Sequence, residues 1–146
     1  MLKRIKSLVV FSLVALLISA CGTLITPPTK SPDKPIGMAN PASTNCTDKG
    51  GTLSIEKDGI GNEYGVCHFE DNLQCEEWAM MNGECPEGGL KVIGYVTTAA
   101  TFCAITGGDY AITGNSGNTE NEQGTCTFKS GKSCDVWDYY NGKCTK

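Results

Sequence analysis

Residues 67–85 read CHFEDNLQCEEWAMMNGEC, and residues 126–144 read CTFKSGKSCDVWDYYNGKC. In both stretches the second cysteine follows the first by eight residues, and the third follows the second by ten. A phenylalanine stands two residues after the first cysteine, a tryptophan three after the second, and an Asn-Gly pair precedes the last. Such a match at fixed spacing is typical of an internal repeat. The pattern therefore predicts two copies of one small module.

The repeat extends towards the N-terminus, where Cys46 and the Gly-Gly pair at 50–51 match Cys103 and the pair at 107–108. Each copy spans about 45 residues, a size at which apolar burial alone is usually marginal. Eight of the nine cysteines belong to the modules, and the even number in each favours disulfides and an oxidising compartment. Two zinc sites are the rival interpretation, but neither module has a Cys-x-x-Cys pair and the chain holds one histidine. We therefore expect neither a metal nor another cofactor.

Disulfides are expected at the eight module cysteines, and the sequence leaves three connectivities open in each module. These residues are Cys46, Cys67, Cys75 and Cys85 in the first module and Cys103, Cys126, Cys134 and Cys144 in the second. Closing a short loop contributes about 2–4 kcal/mol per bridge, which is a large share of a small domain's stability.

Charge is unevenly distributed along the chain. The formal total is −4, and loss of a leader containing Lys3, Arg4 and Lys6 would leave nine basic and sixteen acidic residues, a net charge of −7. Residues 45–85 hold nine acidic residues and two lysines, whereas residues 103–146 are nearly neutral. An acidic chain repels nucleic acid and anionic lipid surfaces, so neither is expected as a partner.

Residues 1–20 have the features of a lipoprotein signal peptide. A short basic start precedes the apolar run SLVVFSLVALLISA at 7–20, which is too short for a comfortable membrane span. The sequence ISA-C at 18–21 resembles the lipobox of bacterial lipoproteins, which implies a diacylglycerol on the Cys21 sulfur and acylation of the new N-terminus. Several acyl chains hold a protein firmly at a membrane. The alternative is an ordinary secretory signal with an incidental cysteine; Gly22, rather than Asp, favours the outer membrane in a Gram-negative cell.

The remainder divides into a tether and two modules. Residues 21–37, the lipidated N-terminus and the segment after it, are rich in proline and predict a flexible, solvated tether. The first module is expected at 38–86 and the second at 87–146, with a Pro-Glu-Gly-Gly break between them. Each predicts an α+β fold stapled by disulfides: a short helix, a β-hairpin and a second short helix.

Helical and alternating apolar spacing place these elements in both modules. In the first module, a helix carries Cys46, strands are expected at 52–56 and 64–69, and the second helix at 74–82. In the second module, helices are expected at 98–106 and 134–141, and strands at 109–113 and 125–128. The linking residues 90–96 also have strand character, and could pair with either hairpin.

The two copies differ in length only between the Gly-Gly pair and the next cysteine. That interval is 16 residues from Gly51 to Cys67 and 18 from Gly108 to Cys126. A turn accepts two extra residues without moving strand side chains to the wrong face, whereas a strand does not. The modules should therefore share one backbone and part at the hairpin turns, within residues 57–63 and 114–123.

The motifs MANPAST-C, the Gly-Gly pair, G-x-C-x-F and C-x-x-W-x-x-x-N-G-x-C resemble a family of small bacterial modules known as domain of unknown function 333, whose members are often labelled hemolysins. The resemblance covers nearly everything after the tether, twice. It implies an envelope lipoprotein and supplies no catalytic residues. Some members keep only the equivalents of Cys46 and Cys67, which implies the pairings Cys46–Cys67 and Cys75–Cys85.

No residue pattern indicates catalysis. The one histidine, His68, is expected on the outer face of a strand, and Thr127 stands at the matching position. The paired carboxylates at 70–71 and 76–77 are not repeated in the second module, and they are expected to form a solvated acidic face near a helix N-terminus. Calcium binding would need a spaced ligand loop, which this cluster lacks. We therefore expect a protein that is not an enzyme.

Apolar residues on the second helix of each module are candidates for partner contacts. Trp78 and Trp137 are expected in the module cores, because their spacing from the cysteines turns them towards the hairpin. Two adjacent helix positions do not both face inward, so one residue of each following pair should be exposed. The candidate contacts are Met80, Met81, Tyr139 and Tyr140.

Two functions remain open. The first is a non-enzymatic envelope lipoprotein that presents two rigid modules to an envelope or extracellular protein, including a protease or lytic enzyme that it would inhibit. The second is membrane damage, as the family label suggests. A pore-forming protein needs an apolar or amphipathic segment to insert, and none follows Cys21. The binding function is therefore favoured, with the membrane contacted through the lipid on Cys21.

Lipid attachment at Cys21 is directly testable. Mass spectrometry of the mature N-terminus should show a chain that begins at Cys21 and carries a diacylglycerol and a further acyl chain. A mature chain that begins elsewhere, or an unmodified Cys21, would contradict the prediction.

Overall fold

The structure is a computed structural model that describes residues 39–146. These residues belong to one compact unit. The expected signal peptide at 1–20, the lipid site at Cys21 and the tether at 21–37 lie outside the described residues.

Each module contains a helix, three antiparallel strands and a second helix, so the predicted α+β class is confirmed. The first module contains α1 (Pro41–Asp48), β1 (Thr52–Lys57), β2 (Glu63–His68), β3 (Leu73–Glu76) and α2 (Glu77–Met81), with a 3-10 turn at Glu70–Asn72. The linker contributes β4 (Leu90–Lys91). The second module contains α3 (Thr98–Ile105), β5 (Asp109–Gly114), β6 (Gln123–Thr127), β7 (Ser133–Asp135) and α4 (Val136–Tyr140).

The first helix of each module starts at a side-chain cap. The Asn40 side chain accepts a hydrogen bond from the Ala42 N–H at 3.0 Å, and Pro41 occupies the first helical position. In the second module the Thr97 hydroxyl accepts from the Ala100 N–H at 3.1 Å. The same capping chemistry at matching positions sets where both helices begin.

The second helix of each module is shorter than the sequence predicts. The predicted helices at 74–82 and 134–141 begin as strands β3 and β7, and only their second halves are helical. The Glu76 carboxylate accepts from the N–H groups of Trp78 and Ala79 at 3.0 and 2.7 Å, and Asp135 caps α4 in the same way. Because a capping residue is not itself helical, the residues before it extend the hairpin into a three-stranded sheet.

The linker strand β4 belongs to the first sheet. Leu90 and Lys91 pair with Gln74 and Leu73 in β3, which completes the order β1-β2-β3-β4, whereas the second sheet has the order β5-β6-β7. Of the residues 90–96 with strand character, two form a strand. The boundary between the two sheets therefore follows Lys91.

Four disulfides lie within the modules, with the pairing that the family resemblance implies. They are Cys46–Cys67, Cys75–Cys85, Cys103–Cys126 and Cys134–Cys144. The first bridge of each module joins its first helix to the middle strand, and the second joins the third strand to the residues after the second helix. Seven of the eight cysteines are buried.

The Gly-Gly pair fits the first disulfide of each module. Gly50 and Gly107 have φ of 82° and 90° directly after a helix, where glycine is the least strained residue. A Cβ on the following glycine would lie 2.3 Å from a disulfide sulfur, that of Cys67 in the first module and that of Cys126 in the second. The chain therefore passes from helix to strand directly over the bridge.

Two separate cores correspond to the two modules. The first contains the four cysteines with Ala79 and Met80, and the second contains Phe128, Val136 and Tyr139 beside its cysteines. The modules thus fold around separate centres within one compact unit.

The prediction of two core tryptophans is wrong for Trp78, which is 43% exposed. Trp137 is partly buried, and its indole N–H donates to the Glu122 carbonyl at 2.9 Å. Glu122 reaches this position because the longer turn of the second module folds back on itself. Its counterpart Glu63 stays exposed beside Lys57, at 3.6 Å, so Trp78 has no such partner.

The two modules part at the hairpin turns, as predicted. The turn comprises residues 58–62 in the first module and 115–122 in the second. The register shifts by one residue between Ile112 and Gly114, so a bulge at the strand end prepares the longer turn. Further along both hairpins the pairing is the same, with Cys67 opposite Cys75 and Cys126 opposite Cys134.

The close approach of Gly108 to its disulfide predicts a stability effect. Gly108→Ala should lower the free energy of unfolding by about 1–3 kcal/mol, because the new methyl group overlaps the Cys126 sulfur. Gly114→Ala is the matched control, since its nearest side-chain atom lies at 3.6 Å, and it should change stability by less than about 1 kcal/mol. Urea unfolding with the disulfides intact would compare them, and equal midpoints would contradict the role of Gly108.

Candidate binding site at the junction of the two modules

A cleft of about 530 Å³ lies where the two modules meet. The first module contributes the β1–β2 hairpin, and the second contributes the start of α3 and the end of α4. Its lining residues are Glu56, Lys57, Tyr64, Tyr95, Val96, Thr97, Thr98, Thr101, Phe102 and Tyr140. Pockets of this size between structural units are the usual place for ligand sites.

Phe102 is the centre of the aromatic wall of this junction cleft. Its ring lies 5.0 Å from Tyr64 across the module boundary and 5.5 Å from Tyr140, both edge to face. The Phe102 ring also packs on Tyr139 of its own core at 5.0 Å. Edge-to-face pairs add about 0.5–1.5 kcal/mol beyond area burial, so this wall joins the modules as well as lining the cleft.

The first hairpin turn closes one side of the cleft through backbone contacts. The Gly59 N–H donates to the Tyr140 carbonyl at 3.1 Å, and the Tyr140 hydroxyl donates to the Lys57 carbonyl at 3.4 Å. A Cβ at Gly59 would lie 2.1 Å from the Asn141 side-chain oxygen. A side chain at this position would displace the Asn141 side chain, so glycine lets the turn approach α4 closely.

A second set of contacts joins the modules away from the cleft. The Lys129 ammonium donates to the Gly83 carbonyl at 2.6 Å. The Lys146 ammonium contacts the Glu84 carboxylate and donates to the Thr106 carbonyl at 3.2 Å. Two separated contact regions resist rotation of one module against the other, so the shape of the junction cleft is fixed by the fold.

The Tyr64 hydroxyl in the cleft is a neutral donor and acceptor. Burial raises the pKa of Tyr64, and the nearby Glu56 carboxylate raises it further. The Tyr64 hydroxyl donates to the Glu56 carboxylate at 3.4 Å. Tyr64 therefore stays protonated at physiological pH, and the cleft offers aromatic faces, hydroxyls, the Glu56 carboxylate and the Lys57 side chain.

Of the four candidate partner contacts, one residue of each adjacent pair is buried and the other is more accessible, as helix geometry requires. Met80 and Tyr139 are buried, at 6% and 8% exposure, and so they do not form a partner surface. Tyr139 packs in the second core and donates its hydroxyl hydrogen to the Thr106 hydroxyl at 3.0 Å. Tyr140 lines the junction cleft, whereas Met81 is exposed on the first module, away from it.

Sequence reasoning missed Tyr64, Tyr95 and Phe102, although a signal for them exists. Each stands where the two repeats disagree, since their counterparts are Gln123, Met38 and Asn45. A difference between the copies does not by itself identify the contact, because Tyr139 also has a non-aromatic counterpart, Met80, and yet lies in the second core.

The carboxylates expected to form a solvated face are in part buried. Glu76 and Glu77 are 8% and 4% exposed. Glu76 caps α2, while Glu77 accepts hydrogen bonds from the Asn40 amide at 2.8 Å and the Ser43 hydroxyl at 2.6 Å. These residues are buried because hydrogen bonds within the first module replace their contacts with water.

The second module has its own buried carboxylate, Glu122, at 1% exposure. It accepts from the Tyr110 hydroxyl at 2.8 Å and the Gly117 N–H at 2.7 Å. Burial, followed by this hydrogen bond, raises the pKa of Tyr110. Glu122 thus stabilises the longer turn and is not part of the junction cleft.

His68 lies outside the junction cleft. Its Nε2 is 2.7 Å from the Ser54 hydroxyl and 3.8 Å from the Glu56 carboxylate, which does line the cleft. Within residues 39–146, no group of three or more His, Cys, Asp or Glu side chains is placed to hold a metal ion. No helix in this part of the chain is long and apolar enough to cross a membrane.

Two disulfide-stapled α+β modules with an aromatic cleft between them define a small tandem-module protein. The chain belongs to the family described as Domain of unknown function (DUF333), whose model matches residues 37–84 and 94–143. The family resemblance and the tandem repeat are thereby confirmed.

Similar proteins are found in enteric bacteria. The chain is 37% identical over 75 residues to proteins named "Uncharacterized protein YoaF" from Escherichia coli strain K12, Escherichia coli O6:H1 strain CFT073 and Shigella flexneri. Each match covers 50% of this chain and 84% of the relative. No solved structure matches the chain.

The contact between Gly59 and α4 predicts how the junction can be opened. Gly59→Ala should shift the NMR signals of Tyr140 and Phe102 and lower the thermal midpoint by several degrees, because a methyl group does not fit against Asn141. The NMR signals of the disulfide-bonded cysteines and of Phe128 in the second core should not shift. Gly114→Ala, a glycine change outside the junction, is the control. Unchanged Tyr140 and Phe102 signals in Gly59→Ala would contradict the described contact.

Proposed function

We propose that this protein is a non-enzymatic lipoprotein of the cell envelope that binds another protein through the junction cleft. The observation that carries the proposal is the cleft itself, in which Tyr64 and Tyr140 pack against Phe102 and Tyr95 adds a further aromatic side chain to the lining. Tyrosine is enriched at protein interfaces because it combines a large apolar ring with a polar tip. The threonines at the start of α3 add hydroxyl groups that can fix a peptide backbone in register.

Rigidity supports a binding function. Two disulfides in each module and the two inter-module contact regions hold the cleft walls before any ligand arrives. A preformed site loses little conformational entropy on binding, so a small surface gives useful affinity. Inhibitors that present constrained surfaces to proteases or lytic enzymes use this property, and such enzymes of the envelope are the partners to test first.

The envelope location is proposed from the sequence at the N-terminus. The lipobox-like ISA-C at 18–21 and the proline-rich residues 21–37 would place the modules on a solvated tether beside a membrane. Four disulfides suit an oxidising compartment. The Gly22 that follows Cys21 favours the outer membrane where the cell has one.

A catalytic role has little support in the cleft. A nucleophile needs a base within about 3 Å, and His68, the one histidine in the chain, contacts Ser54 and does not line the cleft. The eight module cysteines are in disulfides and so provide no thiolate. The proposal therefore assigns recognition, and no reaction, to this protein.

Capture of partners from the native envelope tests the proposal. The lipidated protein should retain a specific envelope or extracellular protein, and Tyr95→Ala, which removes one cleft wall, should reduce that capture at least about tenfold. Ile93→Ala is the matched control, because Ile93 is 66% exposed, lies two residues away and does not line the cleft. Capture that Tyr95→Ala leaves unchanged would contradict the role of the cleft.

Membrane damage, the alternative suggested by the family label, has a separate test. Purified protein without its lipid is expected to leave dye-loaded liposomes intact, because no helix within residues 39–146 suits membrane insertion. Rapid leakage at micromolar protein would favour the lytic function over the binding function.

A further inference from the structure

An apolar face of α2 in the first module is exposed and does not line the junction cleft. Trp78 and Met81 are 43% and 44% exposed, and Asn82 follows them at the helix end. Residues three apart on a helix lie on the same side, so Trp78 and Met81 form one surface. We refer to Trp78, Met81 and Asn82 as the α2 face.

The second module has a surface on α4 that corresponds to the α2 face, and another part of the chain covers it. The matching residues in α4 are Trp137, Tyr140 and Asn141, and each of them is partly buried. The first module's hairpin turn covers the end of this surface: the Gly59 N–H donates to the Tyr140 carbonyl at 3.1 Å, and the Lys57 carbonyl accepts from the Tyr140 hydroxyl at 3.4 Å. A hairpin turn is therefore the kind of structure that this helix end accepts.

Two residues of that hairpin turn pack closely against the end of α4. Gly59 passes so close to Asn141 that any Cβ would lie 2.1 Å from its side-chain oxygen. Ile60 comes next, and its Cδ1 would be 2.8 Å from a Cβ at Gly142. The turn that packs on this helix end thus has a glycine followed by an apolar residue.

The α2 face repeats the receiving features of α4. Among the described residues the Met81 carbonyl, the counterpart of the Tyr140 carbonyl, accepts no hydrogen bond. Asn82 stands in place of Asn141, and Gly83 has φ of 72° where Gly142 has 67°. Methionine in place of tyrosine loses one hydroxyl donor but adapts its shape to different apolar partners.

We propose that the α2 face is a docking site for a β-hairpin turn of a separate protein that carries the same kind of module. The occupant has glycine at the position of Gly59 and an apolar residue at the position of Ile60. It donates its glycine N–H to the Met81 carbonyl and places its apolar side chain beside Gly83.

A second copy of this chain is the less suitable occupant. Its turn with Gly59 and Ile60 is already packed against its own α4. Its other turn, at 115–122, is longer, and its exposed residues are polar. The site therefore fits another member of the module family, and this inference stands independently of the ligand of the junction cleft.

The experiment uses a cyclic peptide as the probe. Residues 56–64 (EKDGIGNEY) are flanked by cysteines in place of Ile55 and Gly65, which are register partners, and a disulfide closes the ring. Titrated into isotope-labelled mature chain, it should shift the Trp78 indole, Met81 methyl and Asn82 amide signals. The same peptide with Gly59→Ala should bind at least about tenfold more weakly, because its methyl group meets the Asn82 side chain.

A matched pair of protein variants locates the site. Met81→Glu should abolish the shifts, while Ile112→Glu, which adds the same charge at an exposed apolar position of the second module, should leave them unchanged. The proposal is overturned if millimolar peptide leaves the α2 face unshifted, if the Gly59→Ala peptide binds equally well, or if shifts appear at Tyr140 instead. Binding only after deletion of residues 22–37 would assign the face to the tether, and would overturn it as well.

Discussion

The contact between a glycine and a buried disulfide is the constraint on which both modules depend. Gly51 and Gly108 each lie directly over the bridge that ties a helix to the middle strand of a hairpin. With no Cβ in the way, the chain leaves the helix and starts the edge strand after only three residues. One covalent bond then fixes the helix, the strand and the register together, which apolar burial alone does weakly in a domain of about 45 residues.

Around this shared backbone the side chains differ between the modules, and residues that contact each other change together. Glu77 and Ser43 hydrogen-bond in the first module at 2.6 Å, and their counterparts Val136 and Ala100 are both apolar and buried in the second. A buried carboxylate without donors would cost several kcal/mol, so the acid and its hydroxyl partner are only tolerated together. The repeat therefore preserves the backbone while allowing the packing of helix on helix to change its chemistry.

The fold of each module was predictable from the sequence, and the contact between the two modules was not. Cysteine spacing, the Gly-Gly pairs and alternating residues identify the modules, the hairpins and the turns that differ. Those signals are local or repeated. The late start of the second helices was not predicted, because Glu76 caps α2 from a position that also suits a helix interior. Tyr64 and Phe102 form a wall only because two modules meet, and a pattern within either copy carries no information about that contact.

The contact between the modules is asymmetric, because each module contributes a different element to it. This asymmetry explains where the repeats diverge. A turn of the first module packs on a helix of the second, so the interface joins unlike surfaces and leaves one of each free. Head-to-tail contacts between unlike surfaces can add one unit after another and so form open chains of molecules. Here the free turn is longer, polar at its exposed residues and folded back on buried Glu122, and so it is a poor match for the free α2 face. The longer turn of the second module therefore does not match the α2 face, on which Trp78 and Met81 are exposed.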